Sequence, residues 1–186
     1  MLTPDQVQPE SLRPLKRSEY DRLIALGAFE DERVELLGGV IVRMSPQEAA
    51  HSFVIRRLHK IFIERLGERG EVQSQAPIAA CGDSEPEPDL AVVPPGDYRA
   101  QHPSVAWLVV EVSESSLRKD RTVKAALYAK AGVAEYWIVN LVDRVVEVHT
   151  APNETGYGAR RVVEADGALT FERFPDVVVP VTQLLP

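Results

Sequence analysis

Three charged residues lie in or beside segments that the sequence predicts to be partly buried. Glu111 interrupts the run Leu108-Val109-Val110-Glu111-Val112, Asp89 directly precedes the apolar run at 90–93, and Lys124 lies on the predicted helix that follows Glu111. A continuous run of this kind is typical of a strand covered on both faces. An ionised carboxylate in such a strand costs several kcal/mol unless it is paired or binds a metal. Glu111 therefore needs a chemical explanation.

Two carboxylates that meet at one end of a sheet can hold a hard divalent cation such as Mg²⁺, which prefers oxygen ligands and keeps several waters. The backbone carbonyl of Val112 could supply a third oxygen. Such an ion polarises a phosphoryl oxygen and lowers the pKa of a bound water. Lys124 could orient the attacking water or offset charge in the transition state. Glu35, if it points inward, could add a ligand or hold a water.

The residues from 107 to 139 predict a strand, a helix and a strand. The strands are expected at 107–113 and 135–139, with a helix over 117–131 between them and Gly132 at its C-terminal cap. A unit of this length predicts a right-handed parallel crossover.

The helix over 117–131 is predicted to carry charge on its inner side. An apolar stripe of Val123, Leu127 and Ala131 would include Asp120, with Lys124 on its edge and Tyr128 on the same side. The predicted outward face consists of Arg118, Arg121 and Ala125.

Upstream of this unit, the sequence predicts a helix, a hairpin and a second helix. Ser18 and Asp21 resemble a capping box for a short helix that ends near Gly27. Two β-rich runs at 34–37 and 40–44 are joined through Gly38-Gly39 and predict a hairpin. On this pattern Glu35 can face either water or the interior.

The second helix is expected to begin at Ser45, with Pro46 in its first position and Glu48 in its third, and to end near Gly67. His51 lies on the apolar stripe of this helix near its start. There it could face a cleft, cover the edge of the core, or bind a metal.

Strands are further predicted at 71–80, at 88–93 and at 145–148, the last as a hairpin with 136–140. Strands at 161–164 and 169–171 would turn at Asp166-Gly167, and the apolar tail 177–181 would pack on the body or on a neighbour. We expect one domain over 1–186, with an extended arm at 1–16 and a C-terminal β extension at 150–186.

Composition sets limits on the class of protein. The chain has 186 residues, a net charge of −7 and 26% charged residues. It contains a single cysteine, Cys81, which excludes an internal disulfide. No apolar run approaches the roughly 20 residues of a membrane span. Residues 1–14 contain no apolar signal core and a single cysteine fits a reducing compartment, so we expect a cytoplasmic protein without a membrane partner. The acidic balance argues against extensive nonspecific phosphate contacts, although basic residues on both predicted helices leave a local basic surface open.

Together these segments resemble the Uma-two family, which is grouped with the restriction-endonuclease-like PD-(D/E)xK proteins. The similarity lies in Glu87-Pro88-Asp89-Leu90, in 108–113, in Asp120 through Lys124 and Tyr128, and in 131–139. It extends to Glu35 with the Gly38-Gly39 hairpin and to Ser45-Pro46 with His51, so that it spans roughly residues 18 to 150.

The resemblance implies an α/β (α+β) fold, in which a mixed sheet is flanked by helices with an added N-terminal helix and hairpin. It also implies a metal-dependent nuclease site with Asp89 as the motif aspartate and Glu111 as the motif acid. Ser113 stands where the superfamily pattern has lysine, and Lys124 corresponds to a lysine displaced to the next helix. Glu35 matches an acidic residue contributed earlier in the chain.

The implied cofactor is Mg²⁺ or Mn²⁺ and the implied substrate is DNA. A homodimer would suit the cutting of two strands. His51, Asp120 and Tyr128 are secondary candidates for the site.

Two other interpretations remain open. The chain could be a nucleic-acid-binding or regulatory module that retains the nuclease scaffold without turnover. Alternatively, the inward charges could form a structural network in which Glu111 pairs with Lys124 and Asp120 pairs with an arginine. One shared open cleft would favour catalysis, whereas sealed and mutually paired charges would favour the structural interpretation.

Overall fold

The structure, a computed structural model, describes residues 12–185. Its helices are α1 (Arg17–Ala25), α2 (Ala49–Leu66), α3 (Leu117–Lys119) and α4 (Ala125–Lys130), with a π turn (Asp120–Lys124) between α3 and α4. Its strands are β1 (Val34–Leu37), β2 (Val40–Arg43), β3 (Glu71–Gln73), β4 (Leu90–Val93), β5 (Leu108–Ser113), β6 (Glu135–Asn140), β7 (Val145–Asn153), β8 (Gly156–Val163), β9 (Ala168–Phe171) and β10 (Phe174–Pro180).

In the described part of the chain, the central sheet has six strands in the order β3-β4-β5-β6-β7-β8. Strands β5 and β6 run parallel because a helical segment connects them, while every other neighbouring pair in this sheet is antiparallel. All residues of β5 and β6 are buried, as continuous Val, Leu and Ile runs predict. The predicted mixed sheet flanked by helices is confirmed.

Each face of the sheet has its own apolar cover. On one face, α2 packs Phe62 against Trp137 and contributes Leu58 to the same core, which the β9-β10 hairpin closes with Phe171. On the other face, α4 places Tyr128 against Tyr136. The hairpin β1-β2 and the π turn lie beside this second face, at the end of the sheet where β5 finishes.

The helix after β5 is not a continuous α-helix, and this changes which residues face inward. The π turn widens one helical turn, with the N–H of Ala125 bonded to the carbonyl of Asp120, five residues back. Val123 is 50% exposed and Ala125 only 7% exposed, so the predicted placement of both was wrong. The prediction used the regular α-helical period of about 100° per residue, which the π turn breaks.

Two helix starts also differ from prediction. Helix α1 begins at Arg17, because the Glu19 carboxylate accepts the backbone N–H of Lys16 at 2.9 Å; Ser18 is not its cap. Helix α2 begins at Ala49 with Glu48 as N-cap, so Ser45 and Pro46 precede the helix rather than start it. A local capping motif contributes only about 1 kcal/mol, which tertiary contacts can override.

The strand predicted over 71–80 is limited to β3. Gln75 has φ of 53°, a left-handed conformation that turns the chain out of the ladder. In the C-terminal region, β8 pairs with β7 and β9 pairs with β10, so β8 and β9 are not partners of each other. Strand β8 is thus part of the main sheet, and the apolar tail at 177–181 packs into the body of this chain.

Of the predicted arm at 1–16, residues 1–11 lie outside the described part, and residues 12–16 have no helix or strand. Leu15 is nonetheless held, because its N–H donates to the carbonyl of Gly39 at 3.0 Å. Within residues 12–185, none of the helices combines the length and apolar character needed to cross a membrane.

Candidate active site

An open cleft lies at the end of the sheet where β5 meets the π turn. Its volume is about 150 Å³. The candidate residues that line it are Glu35, His51, Asp89, Glu111, Val112, Asp120 and Lys124. Residues 45–48, which were predicted as the start of α2, form part of its lining together with Met44. Ionisable side chains from β1, α2, β5, the π turn and the loop before β4 therefore share one water-accessible space.

Asp89 lies directly before β4 and is fixed by two hydrogen bonds. The β4-β5 register pairs Leu90 with Val110, which brings Asp89 beside the following residues of β5. Its Oδ2 accepts the backbone N–H of Val112 at 2.8 Å and lies 2.8 Å from Nε2 of His51 on the first turns of α2. His51 therefore faces the cleft rather than the edge of the core.

Glu111 is buried in β5 and its carboxylate is paired. Oε1 accepts hydrogen bonds from Nζ of Lys124 at 2.9 Å and from the hydroxyl of Tyr128 at 2.7 Å. Burial raises the pKa of Glu111 to about 8, opposed by the charge of Lys124 and reinforced by the neighbouring carboxylates, Asp89 foremost. A further cation beside this carboxyl would lower its pKa and favour its ionised form.

Glu35 points into the protein, which decides between the two orientations that its strand pattern left open. It is 1% exposed. Its Oε2 lies 3.1 Å from Nζ of Lys124 and accepts the N–H of Glu87 at 3.3 Å, while Oε1 accepts from Lys119 at 3.1 Å. Glu35 therefore joins two lysines of the segment that follows β5.

Lys124 lies between two carboxylates, Glu111 and Glu35. Burial lowers the pKa of Lys124, but the two carboxylates outweigh this effect and raise it above its ordinary value. The side chain is therefore an ammonium, which can donate hydrogen bonds and offset negative charge but cannot accept a proton.

Asp120 is buried, and among residues 12–185 no arginine pairs with it, contrary to the structural interpretation. Its Oδ2 accepts hydrogen bonds from the hydroxyls of Ser113 at 2.7 Å and Ser116 at 2.5 Å, and its backbone carbonyl accepts from Tyr136 at 3.2 Å. Ser113, which stands where the superfamily pattern has lysine, thus anchors the start of the π turn to the end of β5.

The donor chemistry of the cleft suits a hard cation. Asp89 receives both of its hydrogen bonds at Oδ2 and Glu111 both of its at Oε1, which leaves the second oxygen of each as a candidate ligand. Within residues 12–185, no group of three or more His, Cys, Asp or Glu side chains is arranged to hold a metal ion. The unbonded carboxylate oxygens of Asp89 and Glu111 would leave most positions around an ion to waters, which Mg²⁺ commonly keeps in protein sites.

Sequence reasoning missed Lys119 and Ser116 as residues of the cleft. Lys119 lies five positions before Lys124, and this spacing was the feature of the sequence that could have pointed to it. In an α-helix that spacing separates two side chains by about 140° around the axis, so it gave no reason to place both on one side. Only the π turn brings the side chains of Lys119 and Lys124 to the same side of the helix.

One protein-family model matches most of the chain. The model of the Uma2 family, described as "Putative restriction endonuclease", matches residues 17–182. The chain belongs to the Uma2 family. This membership confirms the resemblance to the Uma-two family and supports a nuclease-like function. No match was found among curated proteins.

The Uma2 chain is also similar to a solved structure. This is the crystal structure of a protein from Anabaena variabilis described as a putative nuclease belonging to DUF820. The two share 14% sequence identity with a TM-score of 0.74, over 92% of this chain and 97% of the other. Identity this low shows a common fold alone.

Proposed function

We propose that this Uma2 protein is a Mg²⁺- or Mn²⁺-dependent endonuclease that hydrolyses phosphodiester bonds in DNA. The observation that carries the proposal is the convergence of Asp89, Glu111, Glu35 and Lys124 on one open cleft. Buried charges rarely add stability over apolar residues of similar size, so a group of four needs another reason to be present. Phosphodiester hydrolysis is a reaction that these residue types can serve.

Asp89 and Glu111 would hold the ion, with the backbone carbonyl of Val112 as a third oxygen ligand. When bound, the ion would polarise the phosphoryl oxygen and lower the pKa of a water. His51 would orient Asp89 from the wall of the cleft, and the buried hydroxyl of Tyr128 would orient Glu111. A carboxylate held in this way loses little conformational freedom when it binds a ligand.

Lys124 would act as a fixed cation. Its ammonium is held by Glu111 and Glu35 at the wall of the cleft, where it can donate a hydrogen bond to the phosphate or to the attacking water. A preorganised donor of this kind stabilises charge that develops in the transition state. Glu35 would keep the ammonium in place, and Asp120 would keep the π turn against β5.

The test is incubation of purified protein with supercoiled plasmid and with linear DNA in Mg²⁺ and in Mn²⁺. The variant Glu111→Gln preserves the size of the side chain and its contact with Tyr128, and Glu154→Gln, on the exposed turn after β7, removes the same charge elsewhere. We expect nicked or cut products from the wild type and from Glu154→Gln, and none from Glu111→Gln. Absence of products in both metals, or equal cleavage by Glu111→Gln, would overturn the proposal.

A second candidate function is binding without turnover, and it is favoured by the pairing of Lys124 with both Glu111 and Glu35. These contacts leave the two carboxylates partly satisfied without a metal. Under this alternative, DNA binds equally well to wild type and Glu111→Gln, and neither protein cuts it. A homodimer, proposed from the need to cut two strands, is tested by light scattering during gel filtration.

A further inference from the structure

Lys119 is a second lysine of the cleft and differs from Lys124 in its access to solvent. The side chain of Lys119 is 32% exposed and that of Lys124 only 4%. In the part of the cleft wall that the structure describes, no arginine is present, and these two are the lysines. Lys119 is therefore the lysine of the wall that a polyanion can reach from outside.

The π turn places Lys119 on this side. Lys119 is the last residue of α3 and Lys124 the last of the π turn, five positions later. Hydrogen bonds from residue i to residue i+5 bring such a pair to nearly the same side of the axis, whereas a regular α-helix would separate them. As a result both lysines reach Glu35, one at Oε1 and the other at Oε2.

The pairing with Glu35 holds Lys119 without saturating it. An ammonium has three donors, and Glu35 accepts one of those of Lys119 at 3.1 Å. Glu35 is buried beneath the cleft, so the remaining donors can point away from it toward the open space. A side chain fixed at its tip loses little further freedom on binding.

The charge of the cleft shows why such a lysine would matter. Among the described residues, its wall carries seven carboxylates: Glu35, Glu48, Glu87, Asp89, Glu111, Glu114 and Asp120. A phosphate chain approaching this wall is repelled unless cations compensate, and a metal ion compensates only near its own ligands. An exposed lysine at the rim can bind a phosphate next to the one that is cleaved.

We propose that Lys119 is a substrate-binding residue that contacts a backbone phosphate flanking the scissile bond. This rests on the proposed function of the cleft and adds the path of the substrate, which runs across the start of the π turn. A phosphate contact of this kind carries no sequence preference and makes affinity sensitive to salt.

The experiment compares Lys119→Gln with Lys130→Gln, which removes the same charge from an exposed position at the end of α4. Binding of a short fluorescein-labelled DNA duplex is measured by anisotropy in Ca²⁺ over a salt series, with gels to verify that the duplex stays intact. We expect Lys119→Gln to weaken binding about tenfold and to reduce the slope of log K against log salt by about 1. Lys130→Gln should match the wild type, and Lys119→Arg should restore both values.

Cleavage kinetics in Mg²⁺ provide the second measurement. Lys119→Gln should raise KM with kcat nearly unchanged, because the contact exists before and during the reaction. If Lys119→Gln and Lys130→Gln bind alike, or if kcat alone falls, the inference is overturned while the nuclease function stands. If the wild type cuts nothing but binds through Lys119, the nuclease function fails and the phosphate contact stands. A wild type that binds no duplex overturns both.

Discussion

Nζ of Lys124 lies 2.9 Å from Oε1 of Glu111, thirteen positions earlier in the chain. One residue ends the π turn and the other is in the middle of β5, and both are buried. The contact places a cation and a carboxylate at the wall of an open cleft rather than in a sealed core. The open cleft is what the catalytic interpretation expects, and the mutual pairing is what the structural interpretation expects. Experiments on each residue distinguish the two interpretations.

Loss of the carboxylate of Glu111 should abolish binding of a divalent ion. Glu111→Ala is expected to show no measurable Mn²⁺ affinity by calorimetry, because one of two acidic ligands is gone, while circular dichroism reports a folded protein. Glu154→Ala is the control. Unchanged Mn²⁺ affinity in Glu111→Ala would remove Glu111 from the metal site.

Loss of the ammonium of Lys124 should affect the cleavage rate more than the affinity for the divalent ion. Lys124→Ala is expected to keep near-normal Mn²⁺ affinity but to lower the cleavage rate by about a hundredfold or more. Breaking a buried pair also costs about 3–5 kcal/mol of stability, so rates are measured well below the melting temperature. Lys130→Ala serves as the control, and an unaltered rate for Lys124→Ala would exclude a part in the mechanism.

His51 should increase the affinity for the metal ion by orienting Asp89. The Nε2–Oδ2 distance of 2.8 Å indicates that the ring orients the carboxylate, and loss of such a partner typically lowers metal affinity about 10–100-fold. We expect this for His51→Ala in Mn²⁺ calorimetry. The control is His59→Ala. His59 lies on the same helix, and its Nδ1 contacts the hydroxyl of Ser74. Equal affinities for the two variants would contradict the assignment.

The π turn predicts opposite tolerance at two nearby positions. Val123→Lys should change the free energy of unfolding by no more than about 0.5 kcal/mol, as for most exposed positions. Ala125→Lys should destabilise strongly, because it forces an ammonium into a buried site. Urea denaturation measures both. A regular α-helix with the predicted stripe would reverse the order, so the reverse result would exclude the π turn.

A buried carboxyl outside the cleft makes stability depend on pH. Burial, reinforced by Asp21, raises the pKa of Glu85 from 4.5 to about 7. The folded state therefore holds a proton that the unfolded state has released, and stability falls as pH rises from about 4.5 through 7. Glu85→Gln should melt at a higher temperature than wild type near pH 8, with the difference vanishing near pH 4. A pH-independent difference would contradict this cause.

The sequence alone determined the strand–helix–strand unit and the residues of chemical interest. Apolar runs and helix period are local properties, so they identify β5, β6 and the unusual position of Glu111 without any knowledge of distant contacts. The family resemblance then assigned Asp89 and Lys124 to the same site.

The tertiary structure alone decided the orientation of Glu35, the π turn, the partners of Asp120 and the pairing of the C-terminal strands. The orientation of Glu35 depends on contacts with residues far along the chain, Lys119 and Lys124. The other features depend on hydrogen bonds that the residue pattern does not specify. An alternating strand pattern gives two faces without saying which is inward. A helical wheel assumes a constant period, and here a single widened turn changes which lysines and carboxylates face the cleft.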